Sequence, residues 1–134
     1  MITVFIPGKP PTKGSKKAFV RGDHAVMVEA NSNVYEWMEY VKNRVWREMS
    51  KNKTNTMFGP VRLNIMLHVQ KPKKPKHSFY PITKPDIDKV ERAVFDALTG
   101  IAFIDDAQVC AGERGKQFAG TFGPGLSIEF EEIK

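Results

Sequence analysis

One cysteine, Cys110, stands in 134 residues. That excludes an internal disulfide and suits a reducing compartment, although one thiol can still link two copies. No apolar run approaches the length that spans a bilayer, and the N-terminus lacks the basic, apolar and small-residue regions of a secretory leader. A cytoplasmic location is therefore expected. There is no internal repeat and no linker-like break, so a chain of 15.2 kDa with 41% hydrophobic residues reads as one domain, 1–134, with a core of its own. The sequence also has no glycine-rich nucleotide-binding loop, which argues against a nucleotide-using transferase. Acids are the minority charge: 21 Lys and Arg face 15 Asp and Glu, a net +6 with a pI near 9.5. The balance favours a polyanionic partner.

Two stretches contain no acid at all. The first carries Lys9, Lys13, Lys16, Lys17 and Arg21, interleaved with Pro10, Pro11 and Gly14. The second, Lys71 to His77, carries Lys71, Lys73, Lys74 and Lys76 among prolines that stiffen it. Solvated loops have such compositions, but the same charges follow a phosphate backbone well. Lys84 and Lys89 extend the second stretch into the acidic segment that follows it.

That segment is the unusual one. Asp86, Asp88 and Glu91 crowd an expected helix start, and Asp105 and Asp106 follow soon after its end. Pro85 keeps residue 84 out of a helix, and Asp88 with Glu91 has an acidic capping-box pattern, so the helix begins near 86–88. Val90, Val94, Ala97, Leu98 and Ile101 recur at helical spacing and face a core, while Asp88, Arg92 and Asp96 line the opposite side. Gly100 is the natural stop. Two readings of the acids stay open. Asp near a helix N-terminus is favoured by capping and by the macrodipole alone. Alternatively, Asp86 and Asp88 converge on a cation, and oxygen ligands without nearby His or Cys suit Mg²⁺ or Mn²⁺. An EF-hand is a poor match, because Glu91 occupies the position where that loop needs Gly.

The run from Lys84-Pro85-Asp86-Ile87-Asp88 through Asp96-Ala97-Leu98-Thr99-Gly100, followed by Asp105-Asp106-Ala107-Gln108-Val109, resembles the signature of the RusA-type Holliday-junction resolvases. The strong match covers 84–109, and the opening Ile6-Pro7-Gly8-Lys9-Pro10 and the chain length are also similar. The resemblance implies a Mg²⁺-dependent, homodimeric endodeoxyribonuclease, of a kind often carried by phages and prophages, that resolves four-way junctions by paired symmetric cuts in recombination and repair. It implies Asp86, Asp88 and Asp106 as metal ligands. Arg92 stands where the family usually has a catalytically important Lys, which keeps the charge but replaces a point charge by a planar fork. Lys89 and Val90 stand where Asn-Leu is usual. A nuclease for flaps or forks, and a junction-binding protein without activity, are the alternatives.

The remaining elements follow from periodicity. Ile2 to Ile6 reads as a strand, and Phe19-Val20 with Ala25 to Glu29 as a hairpin around Arg21-Gly22-Asp23-His24, His24 being a turn residue. An amphipathic helix is expected over Val34 to Ser50, capped by Asn33 with Glu36, its stripe being Val34, Trp37, Met38, Val41, Val45 and Met49. Tyr40 and Trp46 lie partly off that stripe, as core edge or dimer contact. Val61 to Val69 alternates as the clearest strand, with His68 structural on its polar side. Gln108 to Phe118 and Leu126 to Glu132 read as a final strand pair around Ala119 to Gly125, with Arg114 and Lys116 either solvated or phosphate-binding. Together these predict an α+β, two-layer domain with a mixed or antiparallel sheet and two main helices.

Overall fold

The computed structural model describes the backbone of residues 1–11, 16–21, 24–29 and 33–134, and the side chains of 1–11 and 34–134. Lys13 and the hairpin turn at Gly22-Asp23 lie outside the described residues, as do the side chains of Lys16, Lys17, Arg21, His24 and Asn33.

Alternation builds the sheet. β1 (Ile2–Pro7), β4 (Val61–Val69) and β7 (Gly125–Glu132) each bury every second side chain, so Ile2, Val4, Ile6, Val61, Leu63, Ile65, Leu67, Leu126, Ile128 and Phe130 share one inner face. β7 runs antiparallel between β1 and β4. On the other edge of β4, β5 (Val109–Ala111) and β6 (Arg114–Phe118) pair with it in parallel, one after the other. The sheet is therefore mixed, with five strands, and β2 (Lys16–Arg21) pairs with β3 (His24–Glu29) as a separate two-stranded sheet. The expected final strand pair does not form: β6 and β7 do not pair with each other but flank β4. The break between β5 and β6 falls at Gly112, which has φ +135 and whose Cβ position would lie 1.8 Å from the Leu63 carbonyl oxygen. Only glycine permits that approach.

Two helices pack on the inner face. α1 (Asn33–Lys51) buries Val34, Val41, Val45 and Met49, with Trp37 and Met38 partly covered, which is the stripe read from the sequence. α2 (Ile87–Leu98) buries Val90, Ala93, Val94, Ala97 and Leu98. Each such side chain contributes about 1.5–3 kcal/mol by leaving water. Trp46 is 63% exposed on the outer side of α1, so of the two expected roles the core edge is not the one it fills within this chain.

The order β4, α2, β5 places the site. Because β4 and β5 are parallel, the chain must return along the sheet between them, and α2 does so. The N-terminus of α2 thus lies near the end of β4, and its C-terminus near the start of β4. Gly100, at φ +90, turns the chain after the helix, and its N–H donates to the Phe103 carbonyl at 2.6 Å.

Candidate metal and nucleic-acid site

At the start of α2, Asp86 occupies the N-cap position, yet its side chain makes no capping hydrogen bond. Its carboxylate lies 3.6 Å from the Lys89 ammonium, and both it and Asp88 are exposed. The capping box read from Asp88 and Glu91 is not formed. Glu91 points its carboxylate to Arg114 instead, accepting from Nε at 2.7 Å. A charge-assisted bond in a half-buried setting outweighs a local cap. Arg114 also donates from Nη1 to the Leu63 carbonyl at 2.6 Å, and its guanidinium sits 5.6 Å from the Phe95 ring centre. One side chain of β6 thereby clamps two turns of α2 onto the sheet. Lys116 donates to the Thr83 carbonyl and fixes the chain just before Asp86. Both cations thus have partners within the chain, Arg114 in a half-buried pair and Lys116 in an exposed contact. Neither role has a sequence signal, since each depends on β6 sharing its inner face with α2.

The other acidic group is at the opposite end. Asp105 begins a 3-10 turn, Asp106–Gln108, and its carboxylate accepts from the Ala107 N–H at 2.9 Å. Gln108 braces the turn. Its Oε1 accepts from the N–H groups of Ile104 and Asp105, each at 2.9 Å, and its Nε2 donates to the carbonyls of Met57 and Gly59, each at 2.9 Å. The sequence motif included this glutamine without revealing its partners, which lie about 50 residues upstream. Asp106 is held above the ordinary carboxylate pKa, by partial desolvation first, then by a hydrogen bond to Asp105 and by the charges of Asp105 and Asp96. It therefore lies beside the last turns of α2. Asp88 and Asp96 are two turns apart, about 12 Å along the axis. Among the described residues no three His, Cys, Asp or Glu side chains gather closely enough to hold a metal ion, so Asp106 is not brought to Asp86 and Asp88 within one chain. The intervening helix is the physical reason.

Between the two acidic ends, Arg92 is exposed on the same face as Asp88, with Asp96 half-buried beyond it. Lys9 and Lys84 line a cleft of about 290 Å³ with Pro72, Thr83 and Pro85, beside the entry to Asp86. Lys73, Lys74 and Lys76 are exposed on the segment leading there, as is Lys71, whose ammonium stands 5.3 Å from the Phe118 ring centre. His68 lies between Ser127, at 2.8 Å, and Gln117, at 3.1 Å, on the outer face of the sheet. Tyr40 accepts a hydrogen bond from Arg44 at 3.1 Å on the exposed side of α1. No helix is long and apolar enough to cross a membrane among the described residues.

The donor chemistry fits Mg²⁺ or Mn²⁺ at the α2 N-terminus, because Asp86, which makes no capping bond, and the exposed Asp88 offer hard oxygens. An acidic helix start thus lies at the base of an acid-free lysine segment, whose charge suits a phosphodiester backbone. The sequence matches the family Endodeoxyribonuclease RusA over residues 7–131, and the chain belongs to that family. Its class is thus the endodeoxyribonucleases that act on Holliday junctions. It is also 26% identical over 120 residues to the Uncharacterized protein YqaN of Bacillus subtilis (strain 168), a match covering 81% of each chain.

Proposed function

We propose that this chain is a Mg²⁺-dependent, structure-selective endonuclease, Mn²⁺ being an alternative ion, that resolves Holliday junctions by paired symmetric phosphodiester hydrolysis in recombination and repair. One domain, 1–134, working in the cytoplasm, carries the activity. The observation that carries the reading is the uncapped carboxylate of Asp86, next to Asp88 and directly below the lysine segment. Mg²⁺ held there by Asp86 and Asp88 would supply an activated water and offset charge developing on the scissile phosphate. Asp86 and Asp88 hold the ion. Arg92, one turn further on, faces the scissile phosphate, and Lys89 tempers the Asp86 charge before the ion binds. Lys9, Lys71, Lys73, Lys74, Lys76 and Lys84 track the backbone, with Lys13, Lys16, Lys17 and Arg21 as further phosphate contacts. Without them the carboxylates would repel DNA.

A homodimer belongs to the same proposal. Cutting two symmetry-related strands calls for two sites on a twofold axis. The distance between the ends of α2 gives the partner a further role: a second copy whose α2 runs the opposite way brings its Asp106 to Asp86 and Asp88. All three carboxylates then contribute to each of two sites.

The test compares wild type and Asp88→Asn on a labelled four-way junction and a linear duplex, with Mg²⁺ and with chelator. Metal-dependent symmetric nicks in the junction, lost in the variant while binding persists, are expected. Equal cutting of flaps or duplex replaces the resolvase by a broader branched-DNA nuclease, and binding without any cutting in Mg²⁺ or Mn²⁺ overturns the enzyme. Mixing Asp88→Asn with Asp106→Asn protomers tests the shared site. A mixed dimer regains one intact site and nicks one strand if the carboxylates combine across copies, and stays inactive if they act within one chain.

A further inference from the structure

The segment between β4 and α2 carries more than charge. Its two ends meet: Pro72 and Thr83 to Pro85 line the same small cleft, and Lys116 holds the Thr83 carbonyl. Between them, His77 to Tyr80 form an ordered turn. The His77 Nδ1 accepts from the N–H groups of Phe79, at 3.2 Å, and Tyr80, at 3.1 Å. Its ring lies 6.3 Å from the Phe79 ring and 5.9 Å from that of Tyr80. Yet the rings it organises are left in water. Phe79 is 78% exposed, Tyr80 61% and Ile82 63%. Three large apolar side chains within four residues thus stand in water, two of them against the same His77 ring.

The surrounding charge selects a partner for them. From Gln70 to Pro85 the chain contains five lysines and no acid. An apolar protein surface docking here would strip water from those ammonium groups without neutralising them. A second copy of this chain would bring five more lysines to the same place. A nucleic acid answers both features at once, with phosphates for the lysines and a base face for the rings.

We propose that Phe79 and Tyr80 form a stacking platform for a base displaced at the branch point of the DNA, which rests on the junction-cleaving function proposed above. In a continuous duplex every base is already stacked on its neighbours, so the platform finds no free face. At a branch point the stack is interrupted and a base becomes available. Selectivity for branched DNA then arises without reading any base edge. The location suits the task. Tyr80 precedes Asp86 by six residues, so the chain can span at most about 20 Å between them. That is about six nucleotides of one strand at 3.4 Å each. The stacked base and the phosphate at Asp86 therefore fall on neighbouring parts of one substrate.

The experiment measures binding in chelator, so that no strand is cut, to a four-way junction with 2-aminopurine at the branch point and to a linear duplex of the same sequence. Wild type is read first. If it does not prefer the junction, the proposed function fails irrespective of the turn. Given that preference, the Phe79→Ala/Tyr80→Ala double variant should bind the junction about tenfold more weakly. It should bind duplex as wild type does and lose the 2-aminopurine change. The swap Phe79→Tyr/Tyr80→Phe, which keeps both rings, should restore all three readouts. Unchanged junction affinity overturns the platform, and so does an equal loss on both DNAs. A double variant that becomes monomeric in sedimentation also overturns it, because the turn is then a contact between copies.

Discussion

Gln108 uses all four of its hydrogen-bonding positions, which makes it a sharp place to perturb the second acidic group. Two backbone N–H groups can donate only to an oxygen and two carbonyls can accept only from a nitrogen, so the amide orientation is fixed by its partners. Gln108→Ala removes four bonds, each worth about 0.5–1.5 kcal/mol net, at sites that are only partly buried and regain some water. A destabilisation of about 2–3 kcal/mol follows, or a drop of about 10 °C in Tm at the entropy typical for a chain of this length. Gln108→Glu is nearly isosteric but should be worse. Its carboxylate keeps the two acceptor contacts but turns a bare oxygen toward the Met57 and Gly59 carbonyls, and it adds charge beside Asp105 and Asp106. The gap between the two variants should close as pH falls, because protonation of the introduced carboxylate restores a donor. Thermal melts of both variants from neutral to acidic pH provide the assay, with junction cleavage at low temperature as the functional arm. A Gln108→Glu protein as stable as wild type at neutral pH would refute the brace.

The Arg114–Glu91 clamp should appear in a double-mutant cycle. Arg114→Ala is expected to cost about 2–4 kcal/mol, since it leaves Glu91 and the Leu63 carbonyl without their partner, and the pair should couple by about 1 kcal/mol or more in urea unfolding. Purely additive single variants would show that the pair holds nothing. Asp105→Asn should affect stability through Asp106. The folded-state pKa of Asp106 is raised, so the fold binds its proton more tightly than the unfolded chain does. Stability is therefore lost as pH rises from the ordinary carboxylate range through that raised value. Asn keeps the cap to Ala107 while removing the neighbouring charge. The variant should gain a little stability at neutral pH, under about 1 kcal/mol because the carboxyl is solvent-screened. The gain should vanish in acid, read as the difference between Tm–pH curves, and an identical gain at every pH would count against the mechanism.

What the sequence conveyed was whatever depends on near neighbours. Strict alternation in Val61 to Val69 and the helical stripe of Val90, Val94, Ala97 and Leu98 reappear as buried faces, because periodicity of two or of 3.6 reports which side meets a core. Gly100 ends its helix at positive φ as expected. Partners distant in the chain were not legible. Glu91 looked like a capping residue because capping is local, whereas Arg114 is 23 residues away and arrives only through the parallel pairing of β6 with β4. The final strands looked like a pair because sequence neighbours often are, yet β4 separates them. Asp106 joins Asp86 and Asp88 through the family resemblance and not through spacing, and a straight helix of 12 residues keeps its ends about 18 Å apart.

The separation of the two helix ends explains why the fold has two separate anchors. At one end of α2, Arg114 and Lys116 hold the helix and the residues before Asp86 to β6. At the other, Gln108 holds Asp105 to the Met57–Gly59 strap, which is itself tied back by Thr56 to the Ile101 carbonyl and by Met57 to Ala102, each at 2.8 Å. Neither anchor uses Asp86, Asp88 or Asp106 as a structural partner for another element. The setting of Asp106 raises its carboxyl pKa, by desolvation first, then by the hydrogen bond to Asp105 and the charges of Asp105 and Asp96. A cation arriving beside Asp106 would offset the neighbouring acidic charge without breaking the Gln108 or Arg114 anchors. The acids therefore suit ion binding in a way that capping carboxylates would not.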